Sequence, residues 1–155
     1  MPFAGNGRVL SKMLSNLNLL LGCRAILWKG YQVFYKTDIT DTTTTVTWSR
    51  FLDLAEPMYC ALAEVEGRLI GMVHYIQHRS CWSTGDYVYL QDLFVEPNIR
   101  GKGVGRALIQ HVYATAAEAG ASRVWWLTHE SNSDAMQLYD RIADKSGFIQ
   151  YRKLM

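Results

Sequence analysis

Hydrophobic and polar positions follow two different periods along this chain, and the change between them predicts its secondary structure. From about Leu19 to Tyr35, apolar and aromatic residues recur every three or four positions, which predicts a helix with an aromatic face. Thr37 to Thr47 shows neither period and is interpreted as a loop. Trp48, Phe51 and Leu52 then predict a short helix.

The middle of the chain has the pattern of paired strands. Met58 to Val65 and Leu69 to Gln77 are apolar runs joined by Glu66-Gly67-Arg68, which predicts a hairpin. Tyr87 to Val95 predicts a central strand, on which Leu90, Asp92 and Phe94 share one face. The next elements alternate helix and strand: a helix from Val104 to Gly120, a strand from Arg123 to Leu127, a helix from Ser131 to about Ser146, and a final strand from Gly147 to Tyr151.

This order of elements predicts an α+β fold, a three-layer α/β/α arrangement around a mixed sheet. One parallel βαβ crossing joins the central strand to the strand at Arg123. Residues 1–155 form one domain by length, and residues 1–22 are its least specified segment. Met1 to Arg8 is interpreted as irregular, and a short strand from Lys12 to Leu17 is possible.

The N-terminal segment also resembles an export signal. Arg8 and Lys12 precede an apolar stretch that ends in Leu20-Leu21-Gly22-Cys23, similar to a lipoprotein cleavage box. Ser15, Asn16 and Asn18 make that stretch too polar for its length, so we favour a cytoplasmic protein. No run approaches the ~20 apolar residues of a membrane span.

Composition narrows the possible classes of function. The chain is 49% hydrophobic and 19% charged, which excludes disorder. Its net charge of +2 is spread without a basic run, which argues against a nucleic-acid partner. Cys23, Cys60 and Cys81 share no metal-ligand spacing, so we expect reduced thiols and no metal site.

The loop between the central strand and the next helix carries the clearest chemical signal. Glycine occupies every second position in Arg100-Gly101-Lys102-Gly103-Val104-Gly105-Arg106. Glycine permits close approach to the backbone, and a helix start presents unpaired N–H groups and partial positive charge. The three flanking cations favour a pyrophosphate. The spacing matches neither the dinucleotide fingerprint G-x-G-x-x-G nor the P-loop.

Arg100-x-x-Gly103-x-Gly105, preceded by Leu93 and Val95 on a strand, resembles motif A of the GNAT acyltransferases. The resemblance implies a GNAT sheet whose parallel central strands splay apart, and acetyl-CoA as the cofactor. It also implies a set of cofactor-binding residues: Leu93, Phe94, Val95, Arg100, Gly101, Lys102, Gly103, Val104, Gly105, Arg106 and Asn132.

Asn132 to Phe148 is similar to motif B of the same family. On a helix, Asn132, Met136 and Tyr139 share one face, which would point at the space between the parallel strands. In the family that space holds the pantetheine arm of acetyl-CoA, and a tyrosine protonates the departing thiolate. Tyr139 takes that role by position.

The base that accepts the amine proton is less well specified. YLQDLFV resembles a YLEDxFV motif of small-amine acetyltransferases, in which a Glu at the position of Gln91 is the favoured base. Gln91 cannot act as a base, so Asp92 is the first candidate, and His74, His129 and a water relay remain open.

Backbone N–H groups freed by a bulge in the Gln91 to Val95 strand could stabilise the oxyanion. The aromatic helix contributes Trp28, Tyr31 and Tyr35, which with Gln91 are expected to line the substrate pocket.

The expected activity is acetyl transfer from acetyl-CoA to a primary amine of a small molecule or an amino acid. The resemblance is to the histone/polyamine and D-amino-acid acetyltransferase subgroup. Two alternatives remain: acetylation of a protein lysine or N-terminus, and a catalytically silent acyl-CoA-binding module. A homodimer is expected, because the aromatic-rich chain has apolar surface to cover.

Overall fold

The computed structural model describes residues 6–11 and 21–155 as a five-stranded sheet with helices on both faces. The strands are β1 (Arg8–Ser11), β2 (Met58–Val65), β3 (Arg68–His78), β4 (Tyr87–Val95) and β5 (Arg123–Trp125). The α-helices are α1 (Lys29–Tyr35), α2 (Asp41–Leu52), α3 (Val104–Glu118) and α4 (Ser133–Tyr139). A π-helical segment, Cys23–Trp28, runs directly into α1, and Pro97–Ile99 forms a short 3₁₀ turn.

The sheet has the order β1-β2-β3-β4-β5 and is antiparallel except at its last pair. The β2–β3 hairpin turns at Glu66 and Gly67, which both have positive φ, as a tight hairpin turn requires. β4 and β5 are parallel, but they pair only from Tyr87 to Tyr89 on β4. The rest of β4 continues without a β5 partner, so the two parallel strands separate as predicted.

The sheet divides the core into two clusters. One lies under α3 and includes Leu108, Ile109 and Val112, with Leu138 and Tyr139 packed against it. The other lies under the π-helical segment and α2, and it includes Cys23, Trp28, Trp48 and Phe51. Alternate residues of β2 and β3 supply the two clusters, because successive strand side chains point to opposite faces. The three-layer α+β architecture is therefore confirmed.

The interpretation of Thr37 to Thr47 as a loop is correct only as far as Thr40, because α2 begins at Asp41. Thr40 caps this helix: its hydroxyl accepts a hydrogen bond from the Thr43 amide at 3.1 Å. Thr44 and Trp48 then lie buried one turn apart. The poor helix propensity of threonine hid this helix, and the cap together with the buried face outweighs that propensity.

The predicted end of the chain also differs from the structure. α4 ends at Tyr139 instead of about Ser146, and the following backbone forms turns, with the Ile142 carbonyl accepting a hydrogen bond from the Tyr113 hydroxyl. The predicted final strand from Gly147 to Tyr151 does not form. Without a neighbouring strand to pair with, its side chains are exposed, Tyr151 by 88%.

A strand forms among the first described residues. β1 begins at Arg8, within the segment interpreted as partly irregular, and pairs with β2. Its Arg8 guanidinium contacts the Glu64 carboxylate at 3.2 Å. The possible strand from Lys12 to Leu17 lies outside the described residues. Among the described residues, no helix is long and apolar enough to cross a bilayer.

Candidate active site

A β-bulge at Gln91 determines which side chains of β4 reach the site. His74 of β3 is opposite Asp92, and the next residue, Tyr75, is opposite Leu90, so Gln91 is the extra residue. The bulge reverses the alternation of the strand. Leu90 belongs to the cluster under α3, whereas Phe94 belongs to the opposite cluster. The prediction that Leu90, Asp92 and Phe94 share one face is therefore wrong.

The bulge places Asp92 in a buried hydrogen-bonded chain with Tyr31 and His74. The Tyr31 hydroxyl donates to Asp92 Oδ1 at 2.6 Å. The other carboxylate oxygen, Oδ2, is 3.0 Å from His74 Nδ1. Asp92 is 7% exposed and His74 is 3% exposed. Both oxygens of Asp92 are thus engaged, and Tyr31 lies between the carboxylate and the solvent side of the site.

His74 is enclosed by groups from four elements. The rings of Trp28, Trp48 and Phe51 lie 5.4, 5.8 and 4.6 Å from its imidazole, measured between ring centres. Burial alone would lower the pKa of His74, but its hydrogen bond to Asp92, then the nearby thiol of Cys23, and the charges of both groups raise it to about 9. At neutral pH the imidazole is therefore protonated and paired with Asp92.

Two buried thiols complete the surroundings of His74. Cys60 of β2 is the strand partner of His74, and Cys23 lies on the π-helical segment. The hydrogen bond from Cys60 lowers the pKa of Cys23 to about 6, with burial opposing this change and His74 adding to it. Among the described residues, no group of three His, Cys, Asp or Glu side chains is placed to hold a metal ion.

The glycine loop has the geometry of an anion site. Gly101 and Gly103 have φ of 78° and 86°, values at which a side chain would be strained. Gly103 precedes the first turn of α3, and no side chain caps that turn. The first N–H groups of α3, beginning at Val104, therefore have no capping side chain, as an incoming phosphate requires. A Cβ on Gly105 would lie 3.7 Å from Leu138 Cδ2, so α4 packs beside this turn.

Arg100 begins the loop, but its side chain turns towards α1. Its Nε donates to the Val95 carbonyl at 3.1 Å, and its guanidinium lies 4.6 Å from the centre of the Phe34 ring. The positive charge of Arg100 also opposes the increase in the pKa of Tyr35 that burial and then Asp92 cause. The guanidinium thus lies beside Phe34 and near Tyr35, whereas the backbone of Arg100 remains in the loop.

Tyr139 is the last residue of α4 and packs against the cluster under α3. Burial raises the pKa of Tyr139 to about 12, and the nearby phenol of Tyr35 adds to this increase. The Trp126 ring packs edge-on against it at 5.4 Å. Tyr139 therefore stays protonated at neutral pH, as a proton donor must. The electrostatic influence of Asp92 on Tyr35, and of Tyr35 on Tyr139, indicates that both phenols lie near the part of β4 beyond Tyr89, where β5 no longer pairs; we call this region the gap.

The four residues expected to line the substrate pocket have different environments. Tyr31 and Tyr35 pack ring to ring at 4.7 Å beside the gap. Trp28 is only 6% exposed, and its indole N–H donates to the Thr44 hydroxyl. Trp28 stacks on Tyr31 and therefore supports the pocket from inside the core. Gln91 is exposed at the bulge.

Asn132 and His129 lie at the start of α4. Asn132 occupies the N-cap position, but its side chain makes no cap; the amide Nδ2 donates to the Thr128 hydroxyl at 3.1 Å instead. His129 Nδ1 pairs with the Ser131 hydroxyl on the protein surface. Neither side chain contacts the Tyr31–Asp92–His74 chain. The sequence analysis treated Tyr31, Asp92 and His74 as separate candidates. The bulge expected between Gln91 and Val95 is present, but the hydrogen-bonded connection of these three side chains was not predicted.

The sequence matches the family described as acetyltransferase (GNAT) family over residues 20–143. The chain is 40% identical over 129 residues to the D-amino-acid N-acetyltransferase HPA3 of Saccharomyces cerevisiae, covering 82% of this chain and 80% of that relative. It is 29% identical over 109 residues to the thialysine N-epsilon-acetyltransferase of Mus musculus, covering 61% of this chain and 62% of the relative.

Solved structures show the same fold. AAC(6')-Iy, in complex with a bisubstrate analogue of CoA and acetylneamine, superimposes with a TM-score of 0.78 at 19% identity, over 96% of this chain and 99% of its own. An aminoglycoside acetyltransferase from a soil metagenome, in complex with trehalose, gives a TM-score of 0.77 at 17% identity, over 96% and 97% of the two chains.

Proposed function

Because this chain belongs to the GNAT family of acetyltransferases, whose acyl donor is acetyl-CoA, we propose that it acetylates the primary amine of an amino acid or another small molecule. The amine attacks the thioester directly. The observation that supports this proposal is that the part of β4 without a β5 partner holds the Tyr31–Asp92 pair and leads into the uncapped glycine turn of α3, with the protonated Tyr139 near Tyr35.

The cofactor side of the site would use backbone more than side chains. The pyrophosphate would accept hydrogen bonds from the first N–H groups of α3, with Lys102 and Arg106 supplying charge. The pantetheine arm would run along β4 at Leu93 and Val95, which lie beyond the pairing with β5. The loop would be shaped by Gly101, Gly103, Val104 and Gly105. Two side chains would not contact the anion directly, because that of Phe94 is buried in the core and that of Asn132 is hydrogen-bonded to Thr128.

The charges around the gap favour an amino acid over a polyamine. The Asp92 carboxylate is already engaged by Tyr31 and His74, so it offers little attraction for a second cationic group. The guanidinium of Arg100 beside Tyr35 would repel a polycation and attract a carboxylate. A small amine that carries its own carboxylate therefore fits the site best, and the similarity to a D-amino-acid N-acetyltransferase supports this choice.

Tyr139 would supply the proton that the departing thiolate of CoA needs. Its phenol is half-buried, remains protonated below pH ~12, and lies on the cofactor side of the gap. On the amine side, Asp92 acts through Tyr31, because the Tyr31 hydroxyl occupies the carboxylate oxygen that faces the gap. The oxyanion would be stabilised by backbone N–H groups of β4 near the Gln91 bulge.

A substrate panel tests this function. Wild-type enzyme with acetyl-CoA would be offered D- and L-amino acids, thialysine, spermidine and a lysine-containing peptide, and free CoA and acetylated product would be measured. We expect the highest kcat/KM for an amino acid, and a lower value for its amide, which lacks the carboxylate. Preference for the peptide would support the protein-acetylating alternative. Tight acetyl-CoA binding without turnover of any amine would support a silent binding module.

We also propose a cytoplasmic, single-domain homodimer. Three unpaired cysteines, two of them buried, fit a reducing compartment. The exposed apolar run at the C-terminus, Phe148, Ile149, Tyr151 and Leu154, provides surface that a second copy could cover. Sedimentation at micromolar concentration should give twice the mass of one chain, and removal of residues 148–155 should lower it. A mass of one chain for the intact protein would contradict the dimer.

A further inference from the structure

The buried pair of His74 and Asp92 has no evident packing role that an apolar pair could not fill. Burying two titratable groups costs free energy unless each is well partnered. Here His74 Nδ1 faces Asp92, while its Nε2 has no hydrogen-bond partner among the described residues. One ring nitrogen is therefore left unsatisfied so that the other can meet the carboxylate. Such a cost is typical of functional sites.

Among the described residues, one polar contact connects the Asp92–His74 pair to the amine side of the site. Trp28, Trp48 and Phe51 close off the imidazole, and the thiols of Cys23 and Cys60 are themselves buried. The remaining polar contact is Asp92 Oδ1, which accepts the Tyr31 hydroxyl at 2.6 Å. Tyr31 lies beside Tyr35 at the gap where the amine is expected to bind. A proton can therefore move between the gap and the pair through Tyr31.

We infer that Tyr31, Asp92 and His74 form a relay that removes the proton from the attacking amine, with the Asp92–His74 pair as its final holder. The inference rests on the proposed acetyl transfer. Tyr31 is the group that touches the substrate, and Asp92 and His74 act through it. The relay supplies the base that the glutamine at position 91 cannot provide.

The proton count balances in each turnover. As the amine nitrogen forms its bond to the acetyl carbon, its N–H bond breaks and the proton joins the Tyr31 oxygen. The hydroxyl proton of Tyr31 passes to Asp92 Oδ1. The Asp92–His74 pair thus gains one proton, which it later returns to water by the same path. Tyr139 gives a separate proton to the CoA thiolate and takes one back from water, so that in each turnover one proton leaves the amine and one ends on CoA.

The relay accepts a proton only when the pair lacks one. The pair titrates as a unit, and the environment of His74 raises its pKa to about 9. The facing titratable groups are Asp92, Cys23 and Cys60, with Tyr31 behind Asp92; the pKa of Tyr31 is raised by burial and then by Asp92, so its phenol stays protonated. Turnover should therefore increase as pH rises towards 9, a range in which amino-acid ammonium groups also lose their proton.

The test compares the pH dependence of kcat for wild type, His74→Gln and His78→Gln with the best amino-acid substrate. Glutamine can still donate to Asp92 but cannot titrate. We expect His74→Gln to lose at least about tenfold in kcat at pH 9 and to lose the rise towards alkaline pH. His78 lies on the same strand, and its Nε2 accepts a hydrogen bond from Trp125, outside the relay. His78→Gln should keep the wild-type profile.

Tyr31→Phe provides a second, milder variant, because it removes one hydroxyl from a half-buried ring. We expect it to lower kcat as His74→Gln does, and the double variant to be no slower than the slower single variant. Acetyl-CoA affinity and the thermal midpoint are measured for each protein. A purely structural role would lower kcat equally at every pH and give additive losses, and either result would overturn the relay.

The failure of the relay is distinguishable from the failure of the proposed function. If wild type turns over an amine and His74→Gln keeps the same pH profile, the relay is wrong and the acetyltransferase activity stands. If wild type binds acetyl-CoA but acetylates no amine, the proposed function is wrong before any variant is considered. A substrate amine with a low pKa distinguishes the ionisation of the substrate from that of the enzyme. Such an amine loses its proton well below pH 9, so a rise in kcat that remains near pH 9 comes from the enzyme.

Discussion

The two faces of the sheet hold the molecule together in different ways. The face under α3 is almost entirely apolar, with Leu108, Ile109 and Val112 fully buried. The face under the π-helical segment and α2 contains a buried chain of polar groups, among them His74 and Asp92. One sheet therefore presents a packed hydrophobic surface to the helix that begins at the cofactor loop, and a polar chain to the helices beside the amine site.

This difference between the two faces matches the different roles proposed for them, cofactor binding on one face and proton transfer on the other. In the proposed function, backbone at the start of a helix would bind the cofactor, and such a site needs a helix that is held rigidly by its packing. The amine side must move a proton, so it needs titratable groups whose protonation a low-dielectric interior can shift. The Gln91 bulge connects the two, because it turns Asp92 towards the polar face while Leu93 and Val95 stay on the cofactor face.

The largest expected effect is that of Tyr139→Phe on the cofactor face. This change removes the proton donor and keeps the ring, so kcat should fall by about 10²–10⁴-fold while acetyl-CoA affinity changes little. The loss should be similar from pH 7 to pH 10, since the Tyr139 phenol stays protonated throughout that range. Steady-state kinetics and calorimetric binding measure the two quantities.

Tyr113→Phe is the matched control, because the Tyr113 hydroxyl donates to the Ile142 carbonyl and serves packing. It should leave kcat within about threefold of wild type. Near-normal turnover by Tyr139→Phe, with chemistry shown to be rate-limiting, would mean that solvent or another group protonates the thiolate.

The second prediction contrasts the stability of the two faces. Leu108→Ala should lower the free energy of unfolding by about 2–5 kcal/mol, independently of pH, because it removes only packing. Asp92→Asn leaves His74 without its charged partner and should cost about 3–5 kcal/mol near pH 6.5. That cost should shrink as pH rises through about 9, where the imidazole of wild type itself loses its proton.

The direction of the pH dependence of stability follows from the direction of the change in the pKa of His74. The folded state raises the pKa of His74 from 6.5 to about 9, so the stability it contributes is fully present below pH 6.5 and is lost as pH rises through 9. Urea denaturation at pH 6.5 and 9.5 measures both variants. Equal costs for Asp92→Asn at the two pH values would contradict a charged Asp92–His74 pair.

The smallest effect is expected for Gln91→Glu. Gln91 is exposed at the bulge, and the new carboxylate would add a second proton acceptor at the entrance of the site. Since the inferred relay through Tyr31 already removes the amine proton, kcat/KM should change by less than about tenfold. A much larger gain, together with loss of the alkaline rise, would show that the wild-type enzyme lacks an effective base.

The sequence predicted the cofactor face better than the amine face, and the reason is physical. The glycine loop, α3 and β4 depend on local signals: glycine at positive φ, helix periodicity and strand alternation. Those signals led to the family resemblance, which the family match confirms. The hairpin from Met58 was correct for the same reason, since Glu66 and Gly67 form its turn.

The errors fall where distant parts of the chain decide the structure. The bulge expected between Gln91 and Val95 is present, but its position at Gln91, which moves Leu90 to the other face, depends on the pairing between β3 and β4. The α2 helix depends on the burial of Trp48 against the sheet, which overrides its threonine content. The last strand was predicted from Gly147 to Tyr151, and it does not form; no strand of residues 6–11 or 21–155 lies beside it to accept its hydrogen bonds.

The central claim is that the glycine turn before α3 holds acetyl-CoA, and calorimetric titration of two glycine variants tests it most directly. Gly103 and Gly120 both have positive φ, 86° and 70°, so Gly103→Val and Gly120→Val impose similar backbone strain. Gly120 follows the far end of α3, away from the loop. We predict that Gly103→Val remains folded and loses measurable acetyl-CoA binding, while Gly120→Val binds like wild type. Wild-type affinity in folded Gly103→Val would contradict the account.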